Sequence, residues 1–163
     1  MSPPRTVRQV AVPPDARALS TLARVDYEDA FESGCRPDQT PEQVAKAVLT
    51  AAPEVLRTGL LTLLRTFGIA GGGQGGSDGR SDNRSIVGWE VRRSTPEFAL
   101  LATGSRIGLS AELLFKPEEE SLLWATFVQL DNHLSRAVWT GLAPVHRQVV
   151  PYLLRRNASR AQS

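Results

Sequence analysis

Apolar and polar residues alternate through the second half of the chain in a pattern that predicts four β-strands. The clearest alternation spans residues 106–115, where one face carries Ile107, Leu109, Ala111, Leu113 and Phe115. The other three predicted strands are residues 86–92, 97–102 and 121–130, and the last of these is apolar on both faces. The short connections, among them a tight turn at Gly104 and Ser105, predict that neighbouring strands run antiparallel.

Residues 133–156 show a helical spacing of apolar side chains, which predicts one long C-terminal helix. The predicted apolar stripe consists of Leu134, Val138, Leu142, Val145, Val149 and Leu153. Asp131 or Asn132 can cap the start of this helix. Pro144 and Pro151 each remove one backbone hydrogen bond, so the helix is expected to bend, or alternatively to break into two helices near Pro144.

The first half of the chain carries weaker signals. Residues 22–31 alternate in part and predict a first strand, after a loose arm with a short extended piece at residues 10–12. Thr40, Pro41 and Gln43 form a helix start, and a second helix is expected between Pro53 and Gly68.

Residues 70–85 contain six glycines together with serine and aspartate, which predicts a flexible connector. Three of the glycines, Gly71, Gly73 and Gly76, match the spacing of a dinucleotide-binding loop. That loop requires a strand before it and a helix after it, and neither is predicted here, so a nucleotide site is disfavoured.

The expected fold is α+β: a curved antiparallel sheet with two short helices and a long C-terminal helix, which is the helix-grip order of elements. One domain over residues 21–157 is expected, with an N-terminal arm (1–20) and a tail (158–163). A terminal helix lying across a curled sheet tends to leave an apolar space between the two. The sequence therefore predicts a pocket between the sheet and the C-terminal helix.

This order of elements resembles the START and Bet v 1-like superfamily, in which the space between sheet and helix is a ligand cavity. The chain also resembles the bacterial family called domain of unknown function 2867. The residues that carry this second resemblance are Asp26, Tyr27, Ala30 and Phe31 early in the chain, Asn132, His133, Leu134 and Arg136 at the helix start, and Pro144, Val145, His146 and Arg147 within the helix. The superfamily resemblance implies a cavity for small, mostly apolar ligands, and neither resemblance implies a catalytic residue.

Composition narrows the classes of function. The 163 residues carry a formal net charge of +2, which is too even to indicate nucleic-acid binding. The single cysteine, Cys35, cannot form an internal disulfide. No apolar run approaches the roughly 18 residues that span a membrane, and the N-terminus lacks a signal peptide, so a cytoplasmic protein is expected.

Two histidines, His133 and His146, are the candidate acid–base groups. They are separated by roughly 20 Å along a straight helix, and no metal-binding spacing accompanies them, so neither a metal nor a cofactor is expected. The acidic residues Asp26, Glu28, Asp29 and Glu32 are interpreted as a solvated strand edge. An alternative interpretation places Asp26 and Tyr27 at the mouth of the cavity.

The candidate ligand-binding residues are Tyr27, Trp89, Phe98, Phe115, Trp124, Trp139 and His146. The competing interpretation of the aromatic residues is plain core packing. Three hypotheses follow: a module that binds a small apolar or amphipathic molecule, a cyclase-like or hydrolase-like enzyme using His146 or His133, and a surface-acting protein. The last would use the helix near residues 53–67 and the basic tail of Arg155, Arg156 and Arg160 to bind an anionic membrane or a partner.

Overall fold

Among the described residues, seven antiparallel strands form one curved sheet, which confirms the α+β prediction. In chain order the strands are β1 (Arg8–Val10), β2 (Tyr27–Ser33), β3 (Ser85–Ile86), β4 (Trp89–Ser94), β5 (Ala99–Gly104), β6 (Leu109–Pro117) and β7 (Leu122–Leu130). Their spatial order is β1-β2-β7-β6-β5-β4-β3, and every neighbouring pair is antiparallel. Apart from the extra edge strand β1, this order resembles that of the helix-grip fold.

The computed structural model describes residues 6–34, 39–54, 58, 62, 66, 85–104 and 107–160. The turn after Gly104, the glycine-rich connector apart from Ser85, Cys35 and most of the second predicted helix lie outside these residues. The other two described helices besides the C-terminal one are α1 (Pro14–Arg17) and α2 (Pro41–Thr50).

The predicted strand over residues 86–92 is wrong in its middle. It is a hairpin of β3 and β4, joined by Val87 and Gly88 with φ angles of 53° and 84°. Two central residues with positive φ are typical of a type I′ turn, whose twist matches that of the strands. Gly88 adopts this conformation freely, whereas a β-branched residue such as Val87 rarely does.

The N-terminal segment is more ordered than the sequence predicted. Instead of a loose arm, β1 pairs with β2, and Ala16 of α1 is fully buried. The first predicted strand is shifted, because β2 begins only at Tyr27 and continues to Ser33. Residues 10–25 therefore cover the face of the sheet that points away from α2 and the C-terminal helix.

Glu112 of β6 binds this N-terminal segment to the sheet through hydrogen bonds. The carboxylate is fully buried, and it accepts hydrogen bonds from the Thr21 backbone N–H at 2.9 Å and from the Thr21 and Ser20 hydroxyls at 2.6 Å each. A buried carboxylate is tolerated when it is hydrogen-bonded in this way. Residues 20–21 therefore attach the N-terminal segment to the face of the sheet opposite α2 and the C-terminal helix.

The start of α2 confirms the predicted capping box. The Thr40 hydroxyl accepts a hydrogen bond from the Gln43 backbone N–H at 3.2 Å, and the Gln43 side chain accepts one from the Thr40 N–H at 3.0 Å. Val44 and Val48 are buried against the sheet, as the helical spacing predicted. This helix and the C-terminal helix lie on the same face of the sheet.

The C-terminal helix, α3 (His133–Arg160), runs without interruption through Pro144 and Pro151. The alternative of two helices broken near Pro144 is therefore wrong. Asn132 is the cap: its Oδ1 accepts a 2.8 Å hydrogen bond from Ser135 N–H, and its Nδ2 donates a 2.8 Å bond to the Ile107 carbonyl. Gly108 makes room for this contact, because a Cβ there would lie 2.5 Å from Asn132 Nδ2.

The buried face of α3 is rotated by about one residue from the predicted stripe. Leu134 and Val145 are 55% and 50% exposed, while Val138, Leu142 and Val149 are partly buried at the border. The buried residues of the helix are Ser135, Ala143, Val150, Leu153, Leu154 and Ala158, which include Leu153 of the predicted stripe. Trp139 and His146, both partly buried, lie on this same face, which is the face that packs on the sheet.

Candidate functional site

A pocket of about 150 Å³ lies between the sheet and α3. All three tryptophans of the chain, Trp89, Trp124 and Trp139, line this pocket, together with His146 and Thr126. The remaining lining is aliphatic apart from Thr103 of β5, and it comes otherwise from β6, α3 and the end of α2. Apolar walls with a few polar groups are the usual composition of a small-molecule site.

Three polar atoms of the pocket lining are buried with no hydrogen-bond partner among the described residues: Trp124 Nε1, Trp139 Nε1 and Thr126 Oγ1. Trp124 and Thr126 are only 3% and 2% exposed. A buried donor without a partner destabilises a fold by about 1–3 kcal/mol, so such atoms are rare in native structures. Two indole N–H groups and one hydroxyl, on residues of a single pocket, therefore have unused hydrogen-bonding capacity.

A polar cluster borders the pocket and is centred on Asp29 of β2, which is 4% exposed. One Asp29 oxygen, Oδ2, accepts a hydrogen bond from the Tyr27 hydroxyl at 2.6 Å and lies 3.1 Å from His146 Nε2. The Arg147 Nε–H donates to the Tyr27 oxygen at 3.2 Å. Since a carboxylate this deeply buried needs partners, Tyr27 and His146 account for its presence under α3.

Aromatic contacts join this cluster to the pocket. The Tyr27 and Trp139 rings meet edge to face with centroids 5.0 Å apart, and the Trp139 and His146 rings lie 5.6 Å apart. The Arg147 guanidinium lies 5.9 Å from the Tyr27 ring centroid. Trp139 and His146 belong to both groups, so a change at Asp29 reaches the pocket through directly packed side chains.

The environment of Tyr27 changes its acidity. Partial burial, and then the hydrogen bond to Asp29, raise the pKa of the Tyr27 hydroxyl to about 12. Desolvation and a neighbouring carboxylate both disfavour the phenolate. At neutral pH Tyr27 is therefore a fixed hydrogen-bond donor to Asp29.

The region that contains these residues matches the family model described as "Protein of unknown function (DUF2867)" over residues 21–153. The chain belongs to this family. The family resemblance seen in the sequence is thereby confirmed. No curated protein and no solved structure matches this DUF2867 chain. The match includes both Asp29 and His146, as well as every residue that lines the pocket.

Most of the candidate ligand-binding residues of this DUF2867 domain come together. Trp89, Trp124, Trp139 and His146 line the pocket, and Tyr27 contacts Trp139 and the His146 ring from the side.

Two candidate ligand-binding residues and one candidate acid–base residue lie elsewhere. Phe115 is fully buried and packs against Trp124 at a ring distance of 4.9 Å, behind the lining. Phe98 belongs to the opposite face of the sheet, among the residues covered by the N-terminal segment. His133 is exposed at the first position of α3.

Asp29, Thr126 and Arg147 belong to the site but are not among the residues that the sequence predicted for it. The interpretation of Asp29 as part of a solvated edge is wrong, because β1 and β7 flank β2 and α3 covers it. A signal was present: Tyr27, Asp29 and Phe31 alternate on one face of the strand, so the carboxylate had to point the same way as two aromatic rings.

Asp26 does not line the pocket; it lies near the start of α3 and stabilises the turn that leads into this helix. It forms hydrogen bonds with Arg24 Nε at 2.9 Å and with the Leu130 backbone N–H at 2.7 Å. These bonds, Arg24 first, lower the pKa of the Asp26 carboxyl to about 2. Asp26 therefore ties the start of β2 to the end of β7, where the chain turns into α3.

Within the described ranges, no three histidine, cysteine, aspartate or glutamate side chains converge as a metal-binding group. Across the same residues, no helix combines the length and apolar character needed to cross a bilayer.

Proposed function

We propose that this DUF2867 domain binds one small, mostly apolar molecule that carries a hydrogen-bond acceptor, in the pocket between the sheet and α3. The observation that carries the proposal is the coincidence of an apolar pocket with three unpartnered polar atoms, on Trp124, Trp139 and Thr126. A ligand with an apolar body and one carbonyl oxygen would bury against the walls and accept from these donors. Both parts of the pocket are then used by one molecule.

The size of the pocket limits the ligand. A cavity of about 150 Å³ matches the size that holds a benzene molecule. The proposed ligand class is therefore a single-ring carbonyl compound or a branched aliphatic one of similar size. Longer ligands would have to extend into solvent beside Val145, which lines the pocket and is 50% exposed.

The tryptophans provide a direct measurement. Since all three line the pocket, the tryptophan fluorescence of the protein reports on this site. We expect cyclohexanone to change the emission in a saturable way, with a dissociation constant below about 1 mM. Cyclohexene, which has the ring without the acceptor, is expected to bind at least about tenfold more weakly, which corresponds to loss of a hydrogen bond of about 1.4 kcal/mol.

Two variants locate the binding. Ala111→Leu places a larger side chain on the pocket wall and should abolish the response to both compounds. Thr126→Val should remove much of the preference for the ketone, whereas the matched variant Thr126→Ser keeps the hydroxyl and the preference. No saturable response to either compound, or an unchanged affinity in Ala111→Leu, would overturn the proposal.

The surface-acting alternative stays a prediction. It depends on residues 53–67, most of which lie outside the described residues, and on the basic tail. Of that tail, Arg156 donates a 3.0 Å hydrogen bond to the Tyr152 hydroxyl, and Arg155 and Arg160 are exposed. Flotation with anionic vesicles tests this alternative, and protein that stays entirely unbound would contradict it. A cytoplasmic location likewise stays a prediction.

A further inference from the structure

We infer that the pocket is also a proton-transfer site, in which His146 removes a proton from the carbon next to the carbonyl of a small unsaturated ketone. Asp29 is a positioning residue for His146, and the indole N–H groups of Trp124 and Trp139 stabilise the enolate oxygen. The inference rests on the proposed function, because the ketone must first occupy the pocket. His146 lines the pocket beside Asp29, and three other lining residues carry polar atoms without a hydrogen-bond partner among the described residues.

The pair of Asp29 and His146 has the geometry of a base held by a carboxylate. His146 Nε2 lies 3.1 Å from Asp29 Oδ2 and 3.4 Å from Oδ1. The Asp29 side chain is 2% exposed and that of His146 is 17% exposed, so little solvent competes for the contact. A buried carboxylate beside an imidazole fixes the orientation of the ring and stabilises the imidazolium that forms when the ring takes a proton.

Tyr27 and Arg147 hold the carboxylate in place. The Tyr27 hydroxyl donates to the Asp29 oxygen nearer to His146, and Arg147 donates to the Tyr27 oxygen. Arg147 therefore holds Tyr27, and Tyr27 holds the Asp29 carboxylate. Asp29 keeps the orientation in which it contacts both the Tyr27 hydroxyl and the His146 ring. Such support is what a catalytic side chain requires, since a loose base loses most of its advantage.

The hydrogen-bond donors for the enolate oxygen come from residues other than the Asp29–His146 pair. Trp124 Nε1, Trp139 Nε1 and Thr126 Oγ1 have no hydrogen-bond partner among the described residues, and all three residues line the pocket with His146. Donors in an apolar site stabilise a developing oxyanion far more strongly than water does. A plain binding pocket has no need of an adjacent carboxylate–histidine pair, whereas enolate formation needs both a base and these donors.

The reaction balances without any further reactant. With Nε2–H of His146 donated to Asp29, the lone pair on Nδ1 takes the proton. The electrons of the C–H bond form a carbon–carbon double bond, and the carbonyl π electrons move to oxygen. Return of the same proton to the carbon two bonds further along moves the double bond into conjugation with the carbonyl. The substrate class is therefore a β,γ-unsaturated ketone and the product its α,β-unsaturated isomer.

Cyclohex-3-enone is the test compound, because its single ring matches the volume of the pocket and its conjugated product absorbs in the ultraviolet. Its isomerisation, and the exchange of its α-hydrogens with deuterium oxide, are measured with the full chain. We expect wild-type protein to exceed His146→Gln by at least about 100-fold in rate. His133→Gln, the chain's other histidine and exposed at the start of α3, is the matched control and should keep the wild-type rate.

Three further variants separate the roles. Asp29→Asn should lower kcat with little change in KM, because Asp29 acts through His146 and does not touch the ketone. Trp124→Phe should slow the reaction without abolishing binding of the ring. If circular dichroism shows that His146→Gln does not fold, the rate of Trp124→Phe is compared with that of the wild type instead. Tyr27→Phe should have a smaller effect than Asp29→Asn, since it removes only the support of the carboxylate.

The outcomes are distinguishable. Fluorescence binding of cyclohex-3-enone without isomerisation or exchange above the rate of His146→Gln would overturn this inference and leave the proposed function standing. The same holds if His133→Gln is as slow as His146→Gln. Absence of binding in both this experiment and the cyclohexanone titration would overturn both proposals.

Discussion

Asp29 and His146 are 117 positions apart in the chain, yet Asp29 Oδ2 and His146 Nε2 lie 3.1 Å apart under the C-terminal helix. The contact joins β2, near the beginning of the domain, to the middle of α3, near its end. It therefore fixes the helix over the sheet at the border of the pocket.

Asp29→Ala should lower the free energy of unfolding by about 2–4 kcal/mol, because it leaves the Tyr27 hydroxyl without its acceptor and His146 without its carboxylate. Urea denaturation measures the change. Glu32→Ala is the matched control on the same strand. Its ion pair with Arg8 is open to solvent, since 70% of the Arg8 side chain and 23% of the Glu32 side chain are accessible, so its loss should be less than about 1 kcal/mol. Equal losses in the two variants would contradict a special role for Asp29.

Thr126→Val should raise the stability of the ligand-free protein by about 1 kcal/mol, since it replaces an unpartnered buried hydroxyl with a methyl group of the same shape. Thr126→Ser keeps the hydroxyl and loses a methyl group, so it should lower stability by about 1 kcal/mol. Thermal unfolding of both variants without ligand checks the pair of signs. If valine destabilises as much as serine, the hydroxyl has a partner and the pocket offers one donor fewer.

Tyr27 should make the protein sensitive to alkali. Because its folded pKa of about 12 lies above the ordinary value of 10.0, its contribution to stability is complete below pH 10 and is lost as the pH rises toward 12. The melting temperature measured between pH 10 and 12 should fall more steeply in the wild type than in Tyr27→Phe. Parallel curves for the two proteins would show that Tyr27 is not shielded in this way.

Asn132→Ala should lower the free energy of unfolding by about 1–2 kcal/mol, because it removes the cap of α3 together with the bond to the Ile107 carbonyl. Asn132→Asp separates the two effects: the carboxylate can still accept from Ser135 N–H but cannot donate to Ile107. We therefore expect an intermediate loss for aspartate, measured by chemical denaturation. A loss as large as that of alanine would show that the contact with Ile107 dominates.

The strands were predictable where a period of two persists over many residues, as in β6 and β7. The prediction failed at residues 86–92, where the alternation continues through a two-residue turn. Gly88 was the only local signal, because valine at the other turn position is unusual for a residue with positive φ. Edge pairing was missed for a related reason: a strand as short as β1 carries too few residues to show a period.

The position of α3 was predictable, but its orientation about its own axis was not. A stripe chosen by hydrophobicity alone favours Leu134 and Val145, which the fold leaves half exposed. The face that packs on the sheet instead includes Ser135, Trp139 and His146, whose polar atoms mark them as surface residues in a hydropathy pattern. The polar residues of a pocket are thus the ones that a search for core residues passes over.

Asp29 was not singled out from the sequence although it shares a strand face with Tyr27 and Phe31, because it lies among other acidic residues of the same strand. Glu28 and Glu32 alternate to the opposite face from Asp29, so strand direction alone predicts that the carboxylates separate. Which face is covered, however, depends on β7 and α3, about a hundred residues away. The three tryptophans were easier to find, since large aromatic residues are usually buried somewhere.

The two outermost strands of the sheet, among the residues that the structure describes, have only three and two residues. Intermolecular strand addition needs a longer row of free backbone groups, and a sheet that tapers at both margins offers little template for it. Addition of a strand from a second copy at either of these two short margins is accordingly expected to be weak.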